Sequence, residues 1–165
     1  MSLVDPSVGR IVNTSSGGAS AWLKKQEAAT KKLYSNPDLT QEELDASVNT
    51  LLDGQGGADL GWGGYGLSKA ALCALTLIHA KAYPSLKVMS LSPGFIDTPM
   101  TQGMNARLSP EQGCKSLLKC LFDESVVSGY YYGSDGLRSP LTTTRDPGTP
   151  EYQGEENPNA KTYNK

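Results

Sequence analysis

Residues 65–94 read YGLSKAALCALTLIHAKAYPSLKVMSLSPG, and the change of pattern inside this stretch decides the fold. From Tyr65 to Tyr83 helix formers run unbroken in an amphipathic pattern, and Pro84 ends the run, which predicts one long helix. Leu86 to Ser92 (LKVMSLS) then reads as a strand that Pro93-Gly94 breaks. Upstream, Gly9 to Ser16 (GRIVNTSS) is short, β-branched and bounded by glycine-rich turns, the pattern of a fully buried parallel strand.

Working outward, residues 20–35 (SAWLKKQEAATKKLYS) predict a helix with Trp22, Leu23, Leu33 and Tyr34 inward, stopped by Asn36-Pro37. A second helix starts at Thr40, whose capping box with Glu43 precedes a run to about Leu52 and the stop at Asp53-Gly54. Residues 53–64 form a glycine-rich loop. Ser109-Pro110-Glu111-Gln112 opens a further helix that runs to about Phe122, with proline in the first turn and another capping box. Ser128 to Gly133 (SGYYYG) predicts a last short strand. The order β–(αα)–α–β–α–β points to an α/β fold with parallel strands and right-handed crossovers, without internal repeats.

Composition narrows the function. The chain has 165 residues, 38% hydrophobic, with a mean hydropathy of -0.38, long enough for one domain with a core. From Ser139 to Lys165 the only large aliphatic residue is Leu141, among Pro140, Pro147, Pro150 and Pro158. Such a segment buries little apolar surface and predicts a loose or draped tail, so residues 1–138 are expected to form the domain. A formal charge of -2 and an isoelectric point near 5.4 argue against a nucleic-acid binder, and Lys24, Lys25, Lys31 and Lys32 read as a solvated helix face. No stretch has the length of a membrane span, and the first residues show no secretory pattern. The three cysteines, Cys73, Cys114 and Cys120, match neither a zinc spacing nor a disulfide framework, which predicts a reducing, cytoplasmic compartment.

The residues that carry chemistry are Ser16, Tyr65 and Lys69. Tyr65 and Lys69 stand four apart on one helix and share a face. A tyrosine alone is a poor acid at neutral pH, and a nearby ammonium favours its phenolate. At an effective dielectric near 20, a unit charge about 4 Å away contributes about 4 kcal/mol. The pair is therefore a proton donor for a carbonyl oxygen, and a serine hydroxyl at the end of the neighbouring strand can hold that oxygen. An isolated Tyr-x-x-x-Lys is more often a plain helix start. The order strand-Asn-Thr-Ser-Ser, Tyr-Gly-Leu-Ser-Lys, strand-Ser-Pro-Gly-Phe-Ile-Asp-Thr changes that weighting.

GRIVNTSS, YGLSKAAL and SLSPGFIDTPM together resemble three successive C-terminal motifs of the short-chain dehydrogenase/reductase family, over about Gly9 to Gly133. The two-helix insertion between Ser16 and Tyr65, about residues 19–62, resembles the carbonyl-reductase branch, where it covers the helix surface other members use to dimerise. The resemblance implies the C-terminal part of a doubly wound, Rossmann-like parallel sheet, about three strands with flanking helices. It implies an oxidoreductase that reduces aldehyde and ketone carbonyls, with NADP (NADPH) favoured over NAD and a monomeric intact enzyme. By position, Ser16 would orient the substrate carbonyl, with Ser15 as its rival. Tyr65 would donate the proton, and Lys69 would favour the phenolate and bind the nicotinamide ribose. Asn13, Pro93, Gly94, Ile96 and Thr98 would contact the cofactor, and residues 93–104 would form a substrate lid.

Two motifs are set aside. Gly61-Trp62-Gly63-Gly64-Tyr65-Gly66 matches G-x-G-x-x-G in form but follows a polar loop rather than a strand. His79 is the only histidine, and no G-x-S-x-G elbow accompanies it, which disfavours histidine-dependent hydrolysis. The family's glycine-rich dinucleotide turn, its NAD/NADP-selecting residue and the asparagine of its proton relay have no counterpart in these residues. The resemblance thus implies a truncated chain whose first strand exposes an edge open to pairing.

Overall fold

The computed structural model describes residues 4–5, 7–54 and 60–154. Strands β1 (Arg10–Thr14), β2 (Lys87–Leu91) and β3 (Tyr131–Tyr132) form a parallel sheet in that spatial order, with Ile11 beside Val88 and Leu91 beside Tyr132. Between β1 and β2 run α1 (Gly17–Lys24), α2 (Ala28–Tyr34), α3 (Gln41–Leu52) and α4 (Tyr65–Ala82). Between β2 and β3 come a 3₁₀ turn at Pro99–Thr101, α5 (Pro110–Gly113) and α6 (Lys115–Phe122). This is the parallel α/β architecture expected, and among the described residues no helix is long and apolar enough to cross a membrane.

Strand alternation divides the core between the two sheet faces. Met89 and Leu91 of β2 pack with Cys120, Val126 and Tyr132 on the α6 side. On the other side Trp22 and Leu23 of α1 pack with Leu67, Ala70, Cys73 and Ala74 of α4, with Tyr34, Leu39, Leu44 and Tyr131 completing the cluster. Gly66 lets α1 and α4 approach closely, because a Cβ there would lie 2.7 Å from the Cβ of Trp22. On β1, Arg10 donates from Nη1 to the carbonyls of Cys120 (3.0 Å) and Asp123 (2.7 Å), satisfying orphan acceptors at the end of α6.

The capping boxes at Thr40/Glu43 and Ser109/Gln112 form as the residues predict. The helix expected over 20–35 is instead two, broken at residues 25–27, so three helices rather than two join β1 to α4. A continuous helix would hold Trp22 and Tyr34 about 18 Å apart along its axis. The break brings their rings into edge contact at 5.7 Å, and both are buried there. The helix expected from Ser109 to Phe122 also divides, between Gly113 and Lys115, and the last strand is shorter than 128–133.

The two sheet edges differ. β1 bonds only to β2 among the described residues, and its residues are half-buried or exposed. Beyond β3 the chain turns back, with Arg138 opposite Tyr132 and the Ser139 amide donating to the Tyr131 carbonyl at 2.8 Å. Residues 139–154 contain no helix or strand, yet they are tied down. Pro140 is fully buried, and Arg145 pairs with Asp135 at 2.6 Å, their side chains 1% and 14% exposed.

Two outcomes are expected. Gly66→Ala is expected to lower stability by about 1–3 kcal/mol through overpacking against Trp22, although alanine is the better helix former by about 1 kcal/mol. Urea denaturation of both chains measures this, and a raised midpoint would contradict the close α1–α4 contact. Cys114 is exposed while Cys73 and Cys120 are buried, and burial pushes both buried thiols up, Cys120 to about 11. A thiol reagent near pH 8 should therefore label one cysteine in the native chain and all three after unfolding.

Candidate active site

The carboxyl ends of β1 and β2 lie side by side, where ligands of parallel α/β sheets bind. Ser15 extends the ladder by one bond, its amide donating to the Leu91 carbonyl at 2.7 Å, and α1 begins directly afterwards. The two adjacent serines then face different ways. Ser15 is 3% exposed, its hydroxyl donates to the Lys69 carbonyl at 2.9 Å, and it accepts from the Cys73 thiol at 3.2 Å. Ser16 is half-buried and caps α1, its Oγ accepting from the Gly18 amide at 3.1 Å. Ser15 is thus committed to α4, and Ser16 presents the hydroxyl at the rim.

Tyr65 opens α4 with its side of the ring against Gly18, where an added Cβ would lie 3.1 Å from Cε1. Ser16 and Tyr65 therefore flank the same glycine, one bonded to its amide and the other packed on its Cα. One turn along the helix, the Lys69 ammonium lies 5.7 Å from the centre of the Tyr65 ring and donates to the Thr14 carbonyl at 3.1 Å. That carbonyl is its one acceptor among the described residues, which leaves two of its three N–H groups unclaimed. Trp62 stands beside Tyr65, ring centres 6.3 Å apart, and is 77% exposed. Its backbone has φ of 49°, in the left-handed region that bulky residues seldom adopt.

The remaining expected residues divide. Pro93 and Gly94 follow β2 directly at the strand ends. Ile96 and Thr98 sit in an excursion stapled at its base, where the Asp97 amide donates to the Leu108 carbonyl and the Leu108 amide to the Phe95 carbonyl. The Ile96 side chain packs on Gly113 of α5, and the Thr98 hydroxyl pairs with Thr101. Asn13 is not brought to this group. Its amide points back along the sheet and donates to the Thr76 hydroxyl of α4 at 2.9 Å. His79 is half-buried on α4 and edges Tyr83 at 5.9 Å.

Two features were not singled out from sequence. Ser92, read from the sequence only as the end of a strand, accepts from the Gly17 amide at 3.0 Å and the Gly94 amide at 3.3 Å, joining the start of α1 to the turn after β2. Beneath it lies the Tyr131 hydroxyl, hydrogen-bonded to Ser92 and Ser20, which burial keeps protonated far above neutral pH. These groups line a cavity of about 250 Å³ whose outer wall is residues 144–147 of the C-terminal segment. Ser92 is the end of a β-strand pattern that also serves any buried strand, and the Arg145–Asp135 tie has no local signal. Among the described residues no group of three His, Cys, Asp or Glu side chains could hold a metal ion.

No family model matches the chain. It is 33% identical to salutaridine reductase of Papaver bracteatum over 137 residues, 78% of this chain and 43% of that protein. It is 31% identical to short-chain dehydrogenase/reductase 1 of Saponaria officinalis over 131 residues, 74% of this chain and 43% of that protein. The solved structure of salutaridine reductase from Papaver somniferum superposes with a TM-score of 0.63 at 31% identity, covering 76% of this chain and 45% of that one. The chain thus spans less than half the length of the relatives it matches. Three motifs in their order, a parallel sheet and these likenesses agree: over about three quarters of its length the chain is similar to proteins of the short-chain dehydrogenase/reductase family.

Proposed function

We propose that this chain carries the proton-transfer part of an active site that reduces aldehyde or ketone carbonyls with a nicotinamide cofactor, NADPH in preference to NAD. The observation that carries the reading is that Ser16 and Tyr65 meet at Gly18 in the first turn of α1 while the Lys69 ammonium lies beside the Tyr65 ring.

The donor set suits the nicotinamide ribose. Lys69 keeps two N–H groups for sugar hydroxyls, and no carboxylate pairs with it among the described residues. Pro93 and Gly94 leave the carboxyl end of β2 beside the same rim. When bound, the nicotinamide supplies the hydride. The residues of the chain do the rest. Ser16 Oγ hydrogen-bonds the carbonyl oxygen and fixes its direction, Tyr65 donates its phenolic proton to that oxygen, and Lys69 stabilises the negative charge left on Tyr65. Exposed Trp62 offers an apolar wall beside the phenol.

In this reading residues 1–138 are the catalytic unit, and residues 144–147 of the segment after them lie over the strand ends. α2 and α3 pack on α4, which supports a monomeric intact enzyme. Three free cysteines suit a cytoplasmic setting. The outer edge of β1, unpaired among the described residues, favours a second reading, in which the chain is inactive and acts by pairing that edge with another chain.

The test is NADPH consumption by the chain with a cyclic ketone, beside nucleotide binding by calorimetry and mass by light scattering. Tyr65→Phe is expected to lower kcat by about 10²–10⁴-fold. Ser16→Gly keeps most of the cap, costs a few tenths of a kcal/mol in stability, and is expected to lower kcat by about 10²–10³-fold. Full turnover in the Tyr65→Phe chain sinks the proton-donor role. A chain that binds no nucleotide and scatters as a discrete dimer supports the second reading instead.

A further inference from the structure

We propose that a second site, the groove between α2 and the C-terminal segment, binds a small organic anion made of a carboxylate on a flat ring. The groove is a cavity of about 560 Å³ on the far side of the Tyr131–Ser139 wall from the cavity at the strand ends. Its size lies in the range of small-molecule pockets. Three cations line it, Lys31 and Lys32 of α2 and Arg138 after β3, and among the described residues no acidic side chain does.

Arg138 is the centre of the argument. Its guanidinium carbon lies 3.7 Å from the centre of the Tyr130 ring and 5.1 Å from that of Tyr152. The guanidinium therefore lies against two aromatic rings, and its N–H groups remain as donors. The backbone beneath is pinned at three points. Its amide donates to Glu151 Oε1 at 2.9 Å, and its carbonyl accepts from the Tyr152 amide at 3.1 Å and Arg145 Nε at 3.3 Å. Among the described residues no protein acceptor takes a guanidinium N–H of Arg138, whereas Arg10 and Arg145 each hold a carboxylate.

A stacked arginine with two solvated lysines can be mere surface, and a single such residue would be read so. Here three like charges converge on one concave, partly apolar space in a chain whose net charge is -2. A carboxylate accepts two parallel bonds from a guanidinium edge. Leu77, Leu141 and the two tyrosine rings offer the surface on which a flat ring packs. The site lies at the β3 side of the sheet, away from β1.

The probes are benzoate, its neutral isostere benzamide, and inorganic phosphate, titrated into isotope-labelled full chain while backbone amide shifts are followed. Benzoate is expected to saturate at roughly millimolar concentration, moving the amides of Tyr130, Arg138, Leu141 and Tyr152, with benzamide and phosphate each about tenfold weaker or more. Arg138→Gln should weaken benzoate about tenfold, and the doubly substituted Lys31→Gln, Lys32→Gln chain, altered on an accessible helix face, should weaken it several-fold. Tyr65→Phe should leave benzoate binding unchanged, which separates this site from the proposed catalytic one. Benzamide as tight as benzoate removes the role of charge, and phosphate as tight removes the role of the ring. Shifts confined to residues 16–18 and 65–69, or no saturation, overturn the proposal.

Discussion

The rest of the structure depends on how closely α1 and α4 approach each other. Two glycines, one on each helix, set that distance. Gly66 of α4 receives Trp22 of α1, and Gly18 of α1 receives Tyr65 of α4. The same exchange that packs the core of one sheet face places the Tyr65 phenol beside the residue that Ser16 caps. Ala70 and Ala74 continue the small-residue side of α4, so the helix lies flat and Lys69 reaches the last carbonyl of β1. Core packing and site geometry are therefore one constraint rather than two.

A second constraint acts from the far end of the chain. The Arg145–Asp135 pair is nearly dry, and removing one partner of such a pair costs about 3–5 kcal/mol because the other charge stays buried. The pair holds residues 144–147 over the strand ends, where they close the cavity that Ser20, Ser92 and Tyr131 line from below. A segment too polar to build a core is held here by charge-assisted bonds and by the contacts of Arg138 with the Tyr130 and Tyr152 rings. The return of the chain along β3 also covers that edge of the sheet, while among the described residues no strand pairs with the outer side of β1.

Much of the local structure and part of the site were legible in the residues. Thr40 with Glu43 and Ser109 with Gln112 announce helix starts through bonds made within four residues. Tyr65 and Lys69 share a face because a helix repeats every 3.6 residues, and Gly9–Ser16 and Leu86–Ser92 read as strands through β-branched, apolar runs. Ser15 and Ser16 could not be told apart on that basis. Their difference rests on which one meets Lys69 and Cys73, more than fifty positions away in sequence.

The sequence by itself determined the element types, the order of the motifs and the pairing of Tyr65 with Lys69, all of which follow from neighbours a few residues apart. Only the tertiary structure decided the break at residues 25–27, the burial of Ser15 against the exposure of Ser16, the turning of Asn13 towards Thr76, and the two ties of Arg138 and Arg145. Each of these depends on a partner distant in the chain. Local periodicity carries no information about which distant groups a close-packed interior will bring together.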